Sequence, residues 1–200
     1  GDEALARSVL TREDEVNAYD VRIDEDSVTL IARRQPMGSD LRAIISIARA
    51  VSDLERIGDE AKKIAHAVVR GDGKRSNRPS PQLARDARHI ARFAQEMLRD
   101  ALDAFDRMDP AAGVDVVRRD QELNTEFQAA LRRLLTQVME DPRRLPAMLD
   151  AVTVLKSLER IGDHSKNIAR YVLYLVEGRD VRHEDTAVLI AEGARRSAPR

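Results

Sequence analysis

The chain of 200 residues is 42% hydrophobic and 34% charged, a balance that suits one sizeable soluble domain or two small ones and excludes a chain too polar to build a core. Its formal charge of −1 and its 3% aromatic content give neither a pull toward nucleic acid or an anionic membrane nor platforms on which bases stack. With no cysteine there is no disulfide, thiolate metal site or thiol nucleophile, and with no tryptophan the core must come from aliphatic helix faces, which predicts an all-α fold.

Five long helical segments are predicted. The first runs from about Glu3 to Arg34, with Leu5, Val9, Val16, Ile23, Leu30 and Ile31 at helical spacing before Pro36 ends it. Ser39 is the expected N-cap of the second, which continues through Ile44, Ile47, Val51 and Leu54 to about Arg70 and stops at Gly71. The stretch GDGKRSNRPSP, Gly71 to Pro81, is rich in glycine, proline and serine and reads as an exposed linker. A third helix is expected from Gln82 to Met108, a fourth from Pro110 to Glu140 and a fifth from about Arg143 to Glu177, with turns at Asp109-Pro110 and Asp141-Pro142. After Gly178 a short helix from His183 to Glu192 is expected in the tail. No run approaches the roughly 18 apolar residues of a spanning helix, and no signal-peptide pattern is visible, so the chain reads as cytoplasmic and not inserted in a membrane.

The sequence repeats itself. Leu-Glu-Arg-Ile-Gly-Asp occupies Leu54 to Asp59 and returns, 104 residues on, at Leu158 to Asp163, while VLTREDEVN at Val9 to Asn17 aligns with VVRRDQELN at Val116 to Asn124. Helices one and two therefore correspond to helices four and five. Helix three precedes the second pair, and symmetry predicts a matching helix ahead of the first pair, upstream of Gly1.

Glu55 and Asp59 lie on one helix face, and the pair borders the apolar stripe. Two like charges four apart cost a few tenths of a kcal/mol, and a glycine in a helix interior costs about 1 kcal/mol against alanine, so repeating both asks for a reason. Helix one offers a partner in Glu13 and Asn17, also four apart, and helix four offers Asp120 and Asn124. If each helix pair is an antiparallel hairpin, Asn17 comes level with Arg56 and Glu13 with Glu60, while Asn124 comes level with Gly162 and Asp120 near Asp163. Each hairpin then gathers three carboxylates and an amide, with Asn167 as a further amide in the second copy. Such oxygen-only donors suit hard or borderline cations such as Mg²⁺, Mn²⁺, Ca²⁺ or ferric iron. The competing reading is ordinary ion pairing on a solvated surface, Asp59 with Lys62 or Lys63 and Asp163 with Lys166. Gly58 and Gly162 also read as sites of close helix contact.

Taken in order, IDEDSVTLIARRQPMGSDLRAI with the first LERIGD, then LDAFDRMD, MEDPRRLPAML and LERIGDHSKNI, resemble the PhoU family of phosphate-regulation proteins over about Leu5 to His183. The resemblance implies two tandem, pseudo-symmetric three-helix bundles, the first lacking its N-terminal helix here: residues 1–72 as an incomplete first repeat, 73–81 as linker, 82–178 as the second repeat and 179–200 as tail. It implies metal clusters of Mg, Mn, Fe or Zn, with Glu13, Asn17, Glu55 and Asp59 as ligands in the first copy and Asp120, Asn124, Glu159 and Asp163 in the second. Asn17 and Asn124 stand where the family often has an aspartate. It also implies a homodimeric, non-enzymatic cytoplasmic regulator that represses the phosphate starvation response by coupling a phosphate ABC transporter, through its ATPase component, to a sensor histidine kinase. Two rivals stay open: a metal-free helical adaptor, and a carboxylate-bridged metalloenzyme. The second is weakened because di-iron bundles use Glu-x-x-His, whereas His164 is expected on the polar side of its helix. His66, His89 and His183 are expected at the surface or rim.

Overall fold

The computed structural model describes residues 2–71 and 80–197, and its regular elements there are all helical. Helix α1, Glu3–Arg34, is capped by Asp2, whose carboxylate accepts from the Leu5 amide at 3.0 Å, and it ends where Gln35 turns left-handed ahead of Pro36. Gly38, at φ +59, completes the turn into α2, Ser39–Gly71. Helix α3, Pro81–Asp106, opens on Pro81 with Ser80 as cap, and α4, Pro110–Glu140, opens the same way on Pro110 with Asp109 accepting from two amides. A single 3-10 turn at Pro142–Arg144 precedes α5, Leu145–Glu177, which stops at Gly178 with φ +72.

Besides small shifts, with α2 starting on Ser39 itself and α3 running Pro81–Asp106 where Gln82 to Met108 is expected, two boundaries differ from the sequence expectation for a visible reason. The fifth helix starts at Leu145, because Asp141 accepts from the Arg143 amide and Pro142 holds the tighter turn. The tail helix α6 is Thr186–Ser197, beyond the expected His183 to Glu192. The reason is local: Arg170 holds the carbonyls of Arg182 and Glu184 outside any helix, and Asp185 accepts from the Ala187 amide to start one. Most of the expected linker lies outside the described residues.

Helices α1 and α2 form one antiparallel hairpin and α4 and α5 another. Helix α3 packs on α4 and α5, and α2 packs along α5, joining the two repeats. One core runs through the second bundle and the seam, built from Ile90, Met97, Leu123, Phe127, Leu155 and Ile168 with Ile57 reaching in from α2. Helix α6 closes a smaller cluster of Leu173, Val181 and Leu189 against Val114.

The registers within the hairpins follow the repeat. Val16 faces Gly58 in the first hairpin, and its counterpart Leu123 faces Gly162 in the second. The two glycines nevertheless sit in different surroundings. A Cβ at Gly58 would lie 3.5 Å from Val16 Cγ1, an ordinary contact, whereas a Cβ at Gly162 would overlap Leu123 Cδ2, and Leu123 is locked in the core. Both positions gain the same helix propensity from alanine, so their difference isolates the overlap. Urea unfolding should therefore find Gly162→Ala less stable than Gly58→Ala by about 1–3 kcal/mol, and equal stabilities would show that Leu123 repacks without cost.

Candidate functional site

The hairpin geometry brings the two acidic motifs beside their partner helices, with a lysine bonded to a partner-helix carboxylate in each group. In the second repeat Lys166 Nζ donates to Asp120 Oδ2 at 2.7 Å and to Asp163 Oδ1 at 2.8 Å, while Asn124 donates to the same Asp120 oxygen at 3.2 Å. Burial opposes the Lys166 charge, but the bonds to Asp120 and Asp163 overcome it and hold the ammonium above its ordinary range. Asp120 is itself buried, and its Oδ1 has no hydrogen-bond partner. Glu159, in contrast, pairs with Lys156 at 2.7 Å.

In the first repeat Lys62 pairs with Glu13, and this bond chiefly raises the lysine's pKa. Lys63 goes to Glu60 at 2.8 Å, so neither lysine is bonded to Asp59. Glu55 is pushed above the usual carboxylate range, first by burial and then by the like charges of Asp59 and Asp20, against a smaller opposing pull from Arg56. Asp20 was not among the expected residues, although it lies on α1 one turn beyond Asn17. Asn17 is half-buried on the same helix.

Among the described residues no three acidic or histidine side chains stand close enough together to hold one ion. The donors are nonetheless of the right chemistry. They are oxygen-only and acidic, and one of them, Asp120 Oδ1, is buried without a partner. Lys62 and Lys166 supply the counter-charge in this arrangement.

Asn167 does not join Asp163. Its amide donates at 3.3 Å to Asp53, across the α2–α5 seam. His164, expected on a polar face, is also turned inward, with Nδ1 2.6 Å from Asp53 Oδ1. Asp53 is 1% exposed and accepts a third bond from the Tyr171 hydroxyl at 2.7 Å. Burial first, and the Asp53 bond second, push the Tyr171 phenol above its ordinary range.

Apart from Asn167, this cluster was not among the expected site residues, because its members lie outside the repeated hexapeptide. Asp53 and Ser157 precede the two copies, and Glu60 and His164 follow them. Across the seam the preceding position of one copy meets the following position of the other. Asp53 takes His164, and Glu60 takes Ser157 together with Arg160 at 3.2 Å. Burial would raise the Glu60 pKa, but bonds from Lys63, Ser157 and Arg160 bring it below the usual carboxylate range.

Known proteins are similar to this chain in sequence and fold. The model of the PhoU domain matches residues 1–68 and 87–172. The phosphate-specific transport system accessory protein PhoU homolog of Pseudomonas aeruginosa is 46% identical over 184 residues, covering 91% of this chain and 74% of that protein. The phosphate-specific transport system accessory protein PhoU of Escherichia coli K12 is 40% identical over 182 residues, covering 91% of this chain and 74% of its own. The crystal structure of PhoU from Pseudomonas aeruginosa superposes with a TM-score of 0.83 at 45% identity, over 89% of this chain and 84% of that one. With both repeats matched by the family model and the fold shared with a solved member, the chain belongs to the PhoU domain family.

Proposed function

We propose that this protein is an accessory regulator of phosphate transport that represses the phosphate starvation response when phosphate is plentiful. It does so by linking a phosphate ABC transporter, through the ATPase component, to a sensor histidine kinase. The observation that carries this reading is the family match across both repeats, with relatives named as phosphate-specific transport system accessory proteins. In this reading the protein works by binding and not by catalysis, as a homodimer in the cytoplasm. No helix among the described residues is long and apolar enough to cross a membrane, which fits contact through the soluble parts of membrane complexes.

The same reading assigns metal binding to the acidic motifs. Asp120, Asn124 and Asp163 would hold an ion in the second repeat, and Glu13, Asn17, Glu55 and Asp59 in the first, with Glu159 at the margin of its group. The ion would supply the counter-charge that Lys166 and Lys62 now provide, and the unpartnered Asp120 Oδ1 is the atom that best supports this. Mg, Mn, Fe and Zn all accept such donors.

Three measurements test the proposal. Elemental analysis of protein purified after exposure to Mn²⁺ should show bound metal that falls in the Asp59→Ala plus Asp163→Ala variant. The wild type alone should gain stability, by about 2.7 kcal/mol at a metal concentration one hundred times its Kd. Equal metal content in the two proteins would remove the metal assignment. For regulation, cells lacking the protein should express starvation-induced phosphatase in phosphate-replete medium, and expression that stays low there would contradict the repressor role.

A further inference from the structure

Helix α2 carries a second polar stripe, remote from its acidic motif. Arg42, Ser46 and Arg49 recur at spacings of four and three residues, which puts them on one face of the helix. Each has a buried polar atom without a hydrogen-bond partner: Arg42 Nε, Ser46 Oγ and Arg49 Nη1. A fourth such atom, Arg170 Nε, comes from α5. Buried polar groups are nearly always satisfied, so three orphaned donors on one stripe call for a physical explanation.

Ser46 is the sharpest case. A serine inside a helix commonly donates to the carbonyl one turn back, as Ser165 does to Ile161 at 2.7 Å. Ser46 is 0% exposed, and its hydroxyl makes no such bond.

The surroundings are basic. Arg42 lies against Gly178, with its guanidinium carbon 3.5 Å from where a Cβ would sit. Arg49 stacks over Tyr174, 5.4 Å from the ring centre, and reaches Asp180 only at 4.0 Å. Asp180 is already gripped by Arg182 at 2.6 and 2.9 Å, which holds that carboxylate well below its usual range. Arg170 gives its outer nitrogens to the Arg182 and Glu184 carbonyls and to the Thr186 hydroxyl. Among the described residues, these four guanidinium groups thus find one carboxylate, Asp180, within ion-pair distance.

We propose that this corner of the α2–α5 seam binds a phosphate-class oxyanion, with Arg42, Ser46 and Arg49 as its donors and Arg170 and Arg182 as surrounding positive charge. Planar guanidinium forks and a hydroxyl match the several acceptor oxygens of a tetrahedral anion. The Arg49 and Arg182 side chains are 30% and 38% exposed, so an anion from solvent reaches the edge of the stripe. The site stands apart from the metal-motif carboxylates and from the regulatory reading, since binding is measured on the protein alone and a failure in cells would leave it untouched.

The test is calorimetric titration of inorganic phosphate into the full chain at low ionic strength, with sulfate as a second arm and thermal unfolding as a parallel readout. The expected result is saturable binding of one oxyanion per chain that weakens as salt rises. Ser46→Ala should be at least as stable as the wild type without phosphate, because it removes an unsatisfied buried hydroxyl, yet bind phosphate about fivefold more weakly. Arg49→Met should lose about tenfold or more. Arg12→Met, on the exposed face of α1, should bind as the wild type does. Absent binding in the wild type, or equal binding in the wild type and Ser46→Ala, would overturn the proposal, as would a loss in Arg12→Met as large as in Ser46→Ala. Should Arg49→Met fail to fold, Ser46→Ala carries the decision by itself.

Discussion

A carboxylate taken out of water between two helices fixes how the two repeats meet. Asp53 is almost fully buried, and an ionised carboxylate there costs several kcal/mol unless donors replace the lost water. The donors all come from α5: the Tyr171 hydroxyl, His164 Nδ1 and the Asn167 amide, with the Arg56 guanidinium of α2 at 3.9 Å. Sliding α2 along α5 by even one turn would strand that charge. Hydrophobic contact alone tolerates such slippage, because one aliphatic ridge fits a groove much like the next. The buried polar cluster therefore supplies the register that the aliphatic seam leaves loose.

The internal duplication divides the work between two kinds of contact. Within each hairpin the contacts repeat: a glycine seats an apolar side chain of the partner helix, and a lysine neutralises carboxylates at the rim. Between the repeats the contacts have diverged. One half of the seam joins Asp53 to His164, whereas the equivalent half joins Ser157 to Glu60, so positions that began alike now carry different chemistry. Both seam carboxylates are nonetheless buried, Asp53 at 1% and Glu60 at 3% exposure. The orphaned donors of Arg42, Ser46 and Arg49 lie on the same helix, toward its N-terminal end.

Much of this was legible in the sequence where spacing alone decides the outcome. The 3.6-residue period and the Pro and Gly punctuation located the long helices, and counting back from each hairpin turn placed Glu13 near Glu60 and Asp120 near Asp163. The observed Lys62–Glu13 and Lys166–Asp120 bonds show helix registers within about two residues of that count. Gly162 is the close-approach site that its place in the motif predicts, whereas Gly58 is not, since a Cβ there would make only an ordinary contact with Val16. What spacing could not reveal was packing between segments far apart in sequence. His164 and Asn167 were assigned from their angles on a single helix. Their true orientation depends on α2, which lies across the seam and turns a nominally polar face inward. Asp20 escaped notice for a related reason, since it acts on Glu55 only through the hairpin. The tail helix was misplaced because Arg170, well upstream, decides which carbonyls stay outside it.

The claim that Asp53 sets the seam is tested most directly by a double-mutant cycle in urea with Asp53→Asn and Tyr171→Phe. If the bond between them is a main fastening of α2 to α5, the cycle should return a coupling of about 1.5–3 kcal/mol, the range for a hydrogen bond to a buried charge. Additivity within about 0.5 kcal/mol would show instead that aliphatic packing alone holds the repeats in register.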